Sequence, residues 1–270
     1  MILGMADYPS LEGQLEDFLN FASKLGVRIL ELKLDRLELL SALSNTDKVL
    51  EIKNLSNSYD FKYFVHAPSI DTNLASVNPL LRRASKKTIL KVIVFAAELD
   101  AGLLVSHVGR LSRDYPQKLV RKAMKNATDS LRKINQISND HGIIFTIEND
   151  RKSNDYVLAG YPEQIYSLIE NVGCKLTFDI GHANTIGKIE DFTKLLDKFI
   201  VNVHLHDNNG RDDEHLPIGK GSIDFMKVFK RMKDWKSEKP LIIECHSFAG
   251  LRESIDFMRS VSPLSKDNKK

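Results

Sequence analysis

The chain has 270 residues, 42% hydrophobic and 28% charged, with 14 Gly and 8 Pro. That composition belongs to a globular protein and excludes disordered, collagen-like and low-complexity chains. With 39 basic against 36 acidic residues the net charge is +3, which gives no broad electrostatic footprint for nucleic acid or an anionic membrane.

Short apolar runs recur along the chain, with segments of helical periodicity between them. Ile2–Met5 opens the series, and Leu11–Leu25 is the first helical segment. Val27–Leu34 and Tyr63–Val65 follow, then the helical stretch Pro79–Leu99. Gly102–His107 precedes Gln117–Asp140, and Ile143–Glu148 precedes Pro162–Val172. Lys175–Asp179 and Val201–His206 come next, then the helical Phe225–Lys233, and Leu241–Glu244 closes the series. Strand–helix alternation implies a parallel sheet, and eight such units imply a closed (β/α)8 TIM barrel. The rival, an open doubly wound sheet, usually carries a glycine-rich phosphate loop after its first strand. Gly4-Met5-Ala6-Asp7-Tyr8 stands there instead. We expect one barrel domain over residues 1–264 and a polar tail over 265–270.

The N-terminus lacks a basic segment followed by a long apolar stretch, so no signal peptide is expected. No run approaches the roughly 18 apolar residues of a membrane span. The two cysteines, Cys174 and Cys245, make no disulfide framework and suit a reducing compartment, so the expected location is cytoplasmic.

The polar residues are distributed unevenly. His66, His107, His182, His204, His206, His215 and His246 all fall at or just past predicted strand ends; His141 alone precedes a strand. Glu148, Asp150, Asp179, Asp207 and Glu244 share the bias. In a barrel this C-terminal rim is where catalytic groups gather. Alternation gives their direction, because every second side chain of a barrel strand points inward. Asn202, His204 and His206 share one face of strand seven against Val201, Val203 and Leu205. The same reading pairs Thr146 with Glu148, Thr177 with Asp179, and Ile242 with Glu244 and His246. A buried carboxylate without a partner costs several kcal/mol or takes up a proton. Several acids and imidazoles aimed at one place imply a bound cation, and nitrogen and oxygen donors without thiolate suit Zn2+, Mn2+, Co2+ or Fe2+ more than Ca2+, with Zn2+ or Mn2+ expected first. Cys245 points away from Glu244, and Cys174 lies at the opposite end of the barrel. Glu31 and Lys33 are expected to form an internal ion pair. His206 and His246 are expected to back the ligands or face substrate, and the basic runs Arg82-Arg83 and Arg121 to Lys125 read as solvated helix faces.

The motifs His66-Ala67-Pro68, Ser106-His107-Val108-Gly109, Ile147-Glu148-Asn149, Asp179-Ile180-Gly181-His182, His204-Leu205-His206-Asp207, Asp213-Glu214-His215-Leu216-Pro217-Ile218-Gly219-Lys220-Gly221 and Glu244 resemble the xylose isomerase-like barrels. That superfamily includes sugar and sugar-phosphate isomerases and epimerases, together with family 2 apurinic/apyrimidinic endonucleases. The resemblance covers nearly the whole chain. In the isomerase branch it implies one metal on Glu148, Asp179, His204 and Glu244, the set that alternation selects. In the endonuclease branch it implies two more ions, one on His66, His107 and shared Glu148, the other on His182, Asp213 and His215. The cofactor is thus one to three divalent ions.

Two activities follow. One is metal-dependent isomerisation or epimerisation of a small sugar or sugar phosphate, with Glu148 and Glu244 as the acid–base pair. There His182 holds a substrate oxygen, and Lys220, Arg211 and His206 meet the substrate. The other is hydrolysis at abasic DNA, the only reading with a nucleic-acid partner. The first is preferred on three grounds. The rim carries acids as often as bases (Asp7, Asp71, Asp114, Asp150, Asp207, Asp212, Asp213). Its loops are short and lack an aromatic wedge, with only Tyr8, Tyr115 and Phe248 near. His206 stands where the endonucleases usually have Asn, and no Cys separates Asp179 from His182. A barrel that binds metal without turnover is the third reading, and the intact acid–base pair speaks against it. Nothing in the sequence fixes the oligomeric state.

Overall fold

A computed structural model describes residues 2–261 apart from 234 and 236. The tail expected at 265–270 lies outside the described residues. The strands are β1 (Ile2–Asp7), β2 (Ile29–Lys33), β3 (Lys62–His66), β4 (Leu103–Ser106), β5 (Ile144–Glu148), β6 (Lys175–Asp179), β7 (Ile200–Leu205) and β8 (Pro240–Ile243). They pair in parallel in chain order and β8 closes onto β1, giving a single-domain (β/α)8 TIM barrel.

The helices are α1 (Leu15–Leu25), α2 (Leu37–Ala42), α3 (Thr46–Ser56), α4 (Pro79–Glu98), α5 (Val120–Asp140), α6 (Pro162–Val172), α7 (Ile180–Thr185), α8 (Ile189–Leu195), α9 (Phe225–Met232) and α10 (Phe248–Val261). Their ends follow local chemistry. Asn78 accepts from Leu80 N at the start of α4, whose first residue, Pro79, has no N–H to satisfy. α6 stops at Gly173, where φ is +79° and a side chain would be strained. On α5 the buried positions Ala123, Ala127, Leu131 and Ile134 recur at helical spacing, so one stripe packs on the sheet.

The barrel has two cores. Outward strand residues such as Leu30, Leu32, Phe145, Ile147, Phe178 and Val203 pack under the helices, with Phe178 stacked on Phe192 at 5.2 Å. Inside, Ala6, Ile29 and Ile242 close the lower part of the barrel with Phe64 against them. Above them Thr146 and Thr177 share a hydrogen bond of 2.8 Å. A register shift between β6 and β7 pairs Thr177 with Asn202 and Asp179 with His204. Such an irregularity re-aims side chains, and here it sets two candidate ligands side by side. No described helix is long and apolar enough to cross a membrane.

Candidate functional site

The site is built on His204. Its Nδ1 lies 3.0 Å from Glu148 Oε1, 3.2 Å from Glu244 Oε1 and 3.9 Å from Asp179 Oδ2. Three carboxylates from the ends of β5, β6 and β8 therefore approach one imidazole nitrogen, and all four residues are almost wholly buried. Glu148 has a second side: its Oε2 is 3.0 Å from His66 Nε2 and 3.1 Å from His107 Nε2. His107 is steadied in turn by Asp150, 3.1 Å from its Nδ1.

A third cluster lies over β6 and β7. Asp213 Oδ2 is 3.3 Å from His182 Nε2 and 3.3 Å from His215 Nε2, and its Oδ1 is 3.4 Å from His206 Nε2. His206 reaches Asp179 Oδ1 at 3.2 Å and stacks on His215 with centroids 3.9 Å apart. Gly181 makes room for it, since a Cβ there would stand 2.0 Å from His206 Cε1. His215 itself has φ of +48°, uncommon for a residue with a side chain. The loop carrying Asp213 and His215 is organised from within. Asp207 Oδ2 accepts from Gly219 N and Gly221 N, and its Oδ1 accepts from Asn208 N and Ile223 N.

The donor set fits divalent cations. Asp179 Oδ2, Asp213 Oδ1, His215 Nδ1 and both ring nitrogens of His206 are buried without a well-formed hydrogen bond. Buried polar atoms left so are costly, and nitrogen and oxygen donors in groups satisfy Zn2+ or Mn2+. Ligand atoms of His182, His206, Asp213 and His215, of His66, His107 and Glu148, and of Glu148, Asp179 and His182 each lie within 4.8 Å of one another. Burial pushes the Glu148 carboxyl up, but His107 and His204 outweigh it and hold it well below the usual carboxylate range. Burial brings the His215 imidazole down to about 4, with His206 acting in the same direction.

The placements bear on each expected site residue. Glu148, Asp179, His204 and Glu244 come together, and so do His66 and His107 with Glu148. His182, Asp213 and His215 form the third group. His206, read as backing a ligand or facing substrate, is fully buried inside that group, while His246 is exposed, stacks on His215 and lies tilted against the Tyr8 ring. Arg211 is exposed on the loop, and the Lys220 amine sits 3.8 Å from Glu253 on α10.

The expected Glu31–Lys33 pair is corrected. Glu31 bonds His204 and Asn202, and Lys33 Nζ stands 2.7 Å from Glu244 Oε1. Side chains two apart on a strand run side by side, so each reaches across the barrel to its own partner. Sequence reading missed Arg151, whose Nη1 is 3.3 Å from Asp213 Oδ2, and gave no role to Asn149 of the Ile147-Glu148-Asn149 motif, whose carbonyl O is 2.7 Å from His182 Nδ1. Asn149 directly follows Glu148 and was within reach of a motif argument; Arg151 gave no signal. Beside His107 and Asp150 opens a cleft of about 310 Å³, lined also by Ser69, Arg110 and Arg151.

The profile of the xylose isomerase-like TIM barrel family matches residues 19–261. The chain belongs to this family. An uncharacterized protein of Methanocaldococcus jannaschii is 37% identical over 208 residues, covering 77% of this chain and 80% of its own length. The crystal structure of a D-tagatose 3-epimerase-like protein superposes with a TM-score of 0.86 at 29% identity, covering 96% of each chain. D-psicose 3-epimerase from Clostridium cellulolyticum H10, solved with D-tagatose, gives a TM-score of 0.76 at 16% identity and covers 97% of this chain and 99% of its own. Structural neighbours of this xylose isomerase-like barrel thus include sugar 3-epimerases.

Proposed function

We propose that the protein is a divalent-metal-dependent isomerase or epimerase of a small sugar or sugar phosphate. The observation that carries the reading is the approach of Glu148, Asp179 and Glu244 to His204 Nδ1. The likeness to a D-tagatose 3-epimerase-like protein at 29% identity supports the substrate class.

Glu148, Asp179, His204 and Glu244 would hold the principal ion. When bound, that ion would polarise a substrate carbonyl and its neighbouring hydroxyl, making the C–H between them more acidic. Glu148 and Glu244 come from strands separated by β6 and β7, so they flank a substrate from two sides. One carboxylate takes the proton from carbon and the other returns one to the opposite face, which inverts the centre. Lys33 fixes Glu244 in place, and His66 and His107 fix Glu148. His182 Nε2, which faces Asp213 Oδ2 at 3.3 Å, would orient a substrate oxygen, and exposed Arg211 would meet a phosphate. Two buried thiols, Cys174 and Cys245, fit a cytoplasmic setting.

A second reading, hydrolysis at abasic DNA, is favoured by one observation. Two of the His–carboxylate groups share Glu148, and with the His182, His206, Asp213 and His215 group beside them they would suit more than one ion. The test is incubation of Mn2+- or Zn2+-loaded protein with ketohexoses and pentulose 5-phosphates in D2O, beside an oligonucleotide holding one abasic site. Deuterium entering the sugar, lost with chelator and in Glu244→Gln, is the expected result. Chelator-sensitive nicking without deuterium exchange would reverse the choice.

A further inference from the structure

His204 is gripped from behind as well as in front. Its Nε2 lies 3.0 Å from Glu31 Oε1 and 3.0 Å from Glu31 Oε2, and both residues are fully buried. Asn202 Nδ2 donates to Glu31 Oε2 at 3.2 Å and so helps to hold the carboxylate. Glu31 belongs to β2, which does not neighbour β7 in the sheet, so the contact spans the barrel interior.

A carboxylate can only accept. Facing Nε2, it favours a hydrogen on that nitrogen, and with an ion among the carboxylates on the other side the lone pair of a neutral ring is then left on Nδ1. Nδ1 is the nitrogen that Glu148, Asp179 and Glu244 surround. An amide in place of Glu31 would not impose this choice, because it can turn and offer its NH2. A carboxylate behind a ligating imidazole also raises the basicity of the ligand.

We propose that Glu31 is a positioning residue of the metal centre, fixing the ring orientation and tautomer of His204 so that Nδ1 faces the ion. This rests on the reading that His204 is a ligand. Glu31, His204 and Glu244 also have ligand atoms within 4.8 Å of one another; in this assignment Glu31 holds the His204 ring and leaves the ion to the other carboxylates.

The test compares the full chain with Glu31→Gln, Glu31→Ala and His204→Ala. Zn2+ affinity is measured by chelator competition, and the visible spectrum is recorded for Co2+-loaded protein. Wild type is expected to bind and His204→Ala to lose the principal ion. Glu31→Ala should bind roughly 10–100-fold more weakly. Glu31→Gln, nearly isosteric, should fall between them with a shifted Co2+ spectrum, and it carries the test if the alanine variant does not fold. Zn2+ affinity and Co2+ spectra unchanged in the Glu31 variants, with His204→Ala impaired, would overturn the proposal and leave the metal reading standing. Lower stability with an unchanged spectrum would reduce Glu31 to a structural residue. Failure of wild type to bind, or normal binding by His204→Ala, would remove the metal reading itself.

Discussion

Lys33 Nζ lies 2.7 Å from Glu244 Oε1, with both side chains almost wholly buried. The ammonium therefore stands against one of the two proposed acid–base carboxylates. Burial pushes the Glu244 carboxyl up, but Lys33 foremost, then His204 and His215, holds it well below the usual carboxylate range. Lys33 is itself fixed in the charged form, because Glu244 and Glu148 outweigh its burial. It also lies 5.0 Å from the centre of the Tyr8 ring, a cation–π contact that closes its open side.

Replacing Lys33 by Met should leave Glu244 buried without its closest counter-charge. Breaking a buried pair from one side costs about 3–5 kcal/mol. Urea unfolding of the metal-free protein is the measurement. A loss below about 1 kcal/mol, the range of exposed pairs, would mean that the ion pair does not persist.

Metal should be the largest single stabiliser of the site. A ligand present at 100 times its Kd adds about 2.7 kcal/mol to stability. Chelation should accordingly lower Tm, and re-addition of Zn2+ or Mn2+ should restore it. Asp179→Asn should blunt both responses, since Asp179 Oδ2 is among the atoms buried without a good partner. Elemental analysis should find at least one ion per chain; an unmoved Tm and no bound metal would contradict the proposed centre.

Gly181→Ala tests the packing of the third cluster. The new methyl would meet the His206 ring at 2.0–2.5 Å, and that ring is stacked on His215. Overpacking of this kind costs roughly 1–3 kcal/mol. Gly102→Ala is the control, because its nearest neighbour would be Phe64 Cε1 at 3.8 Å, an ordinary contact. Equal stability of the two variants in thermal melts would show that the ring moves aside freely.

Asp7 should give stability a pH dependence of its own. Burial raises its carboxyl from 3.8 to about 7 despite the guanidinium of Arg36, 2.9 Å away. A carboxyl raised on folding adds stability that is fully present below its unfolded value and is lost as pH rises through the folded one. The wild type should thus lose ground to Asp7→Asn by about 1.4 kcal/mol for each pH unit between 4 and 7. Urea titrations across that range check it, and parallel profiles for the two proteins would refute it.

Much of this site was legible because it obeys alternation. Asn202, His204 and His206 are inward and buried, and Glu148 and Asp179 end their strands beside Thr146 and Thr177 as the period of two requires. The helices α2, α3, α7, α8 and α10 had no separate place in the sequence reading. α2, α7 and α8 are only 6–7 residues long, too short to build a periodic signal. The start of α7 was hidden for a further reason: its cap is Asp179, which accepts from His182 N at 2.7 Å while also facing His204. Glu31 and Lys33 were misread because proximity along the chain is a poor guide inside a barrel, where strands that never pair still meet. Asp207, grouped by sequence with the strand-end acids, bonds four backbone amides of its own loop instead. Its position one residue past inward-facing His206 was the available clue.

The apolar floor formed by Ala6, Ile29, Ile242 and Phe64 has a kinetic consequence. It makes the barrel a vessel with one door. On the proposed function, an ion seated at the level of His204 would leave by the route through which a sugar arrives. A seated sugar would then act as a stopper, and release of the ion to a chelator should slow as the sugar concentration rises.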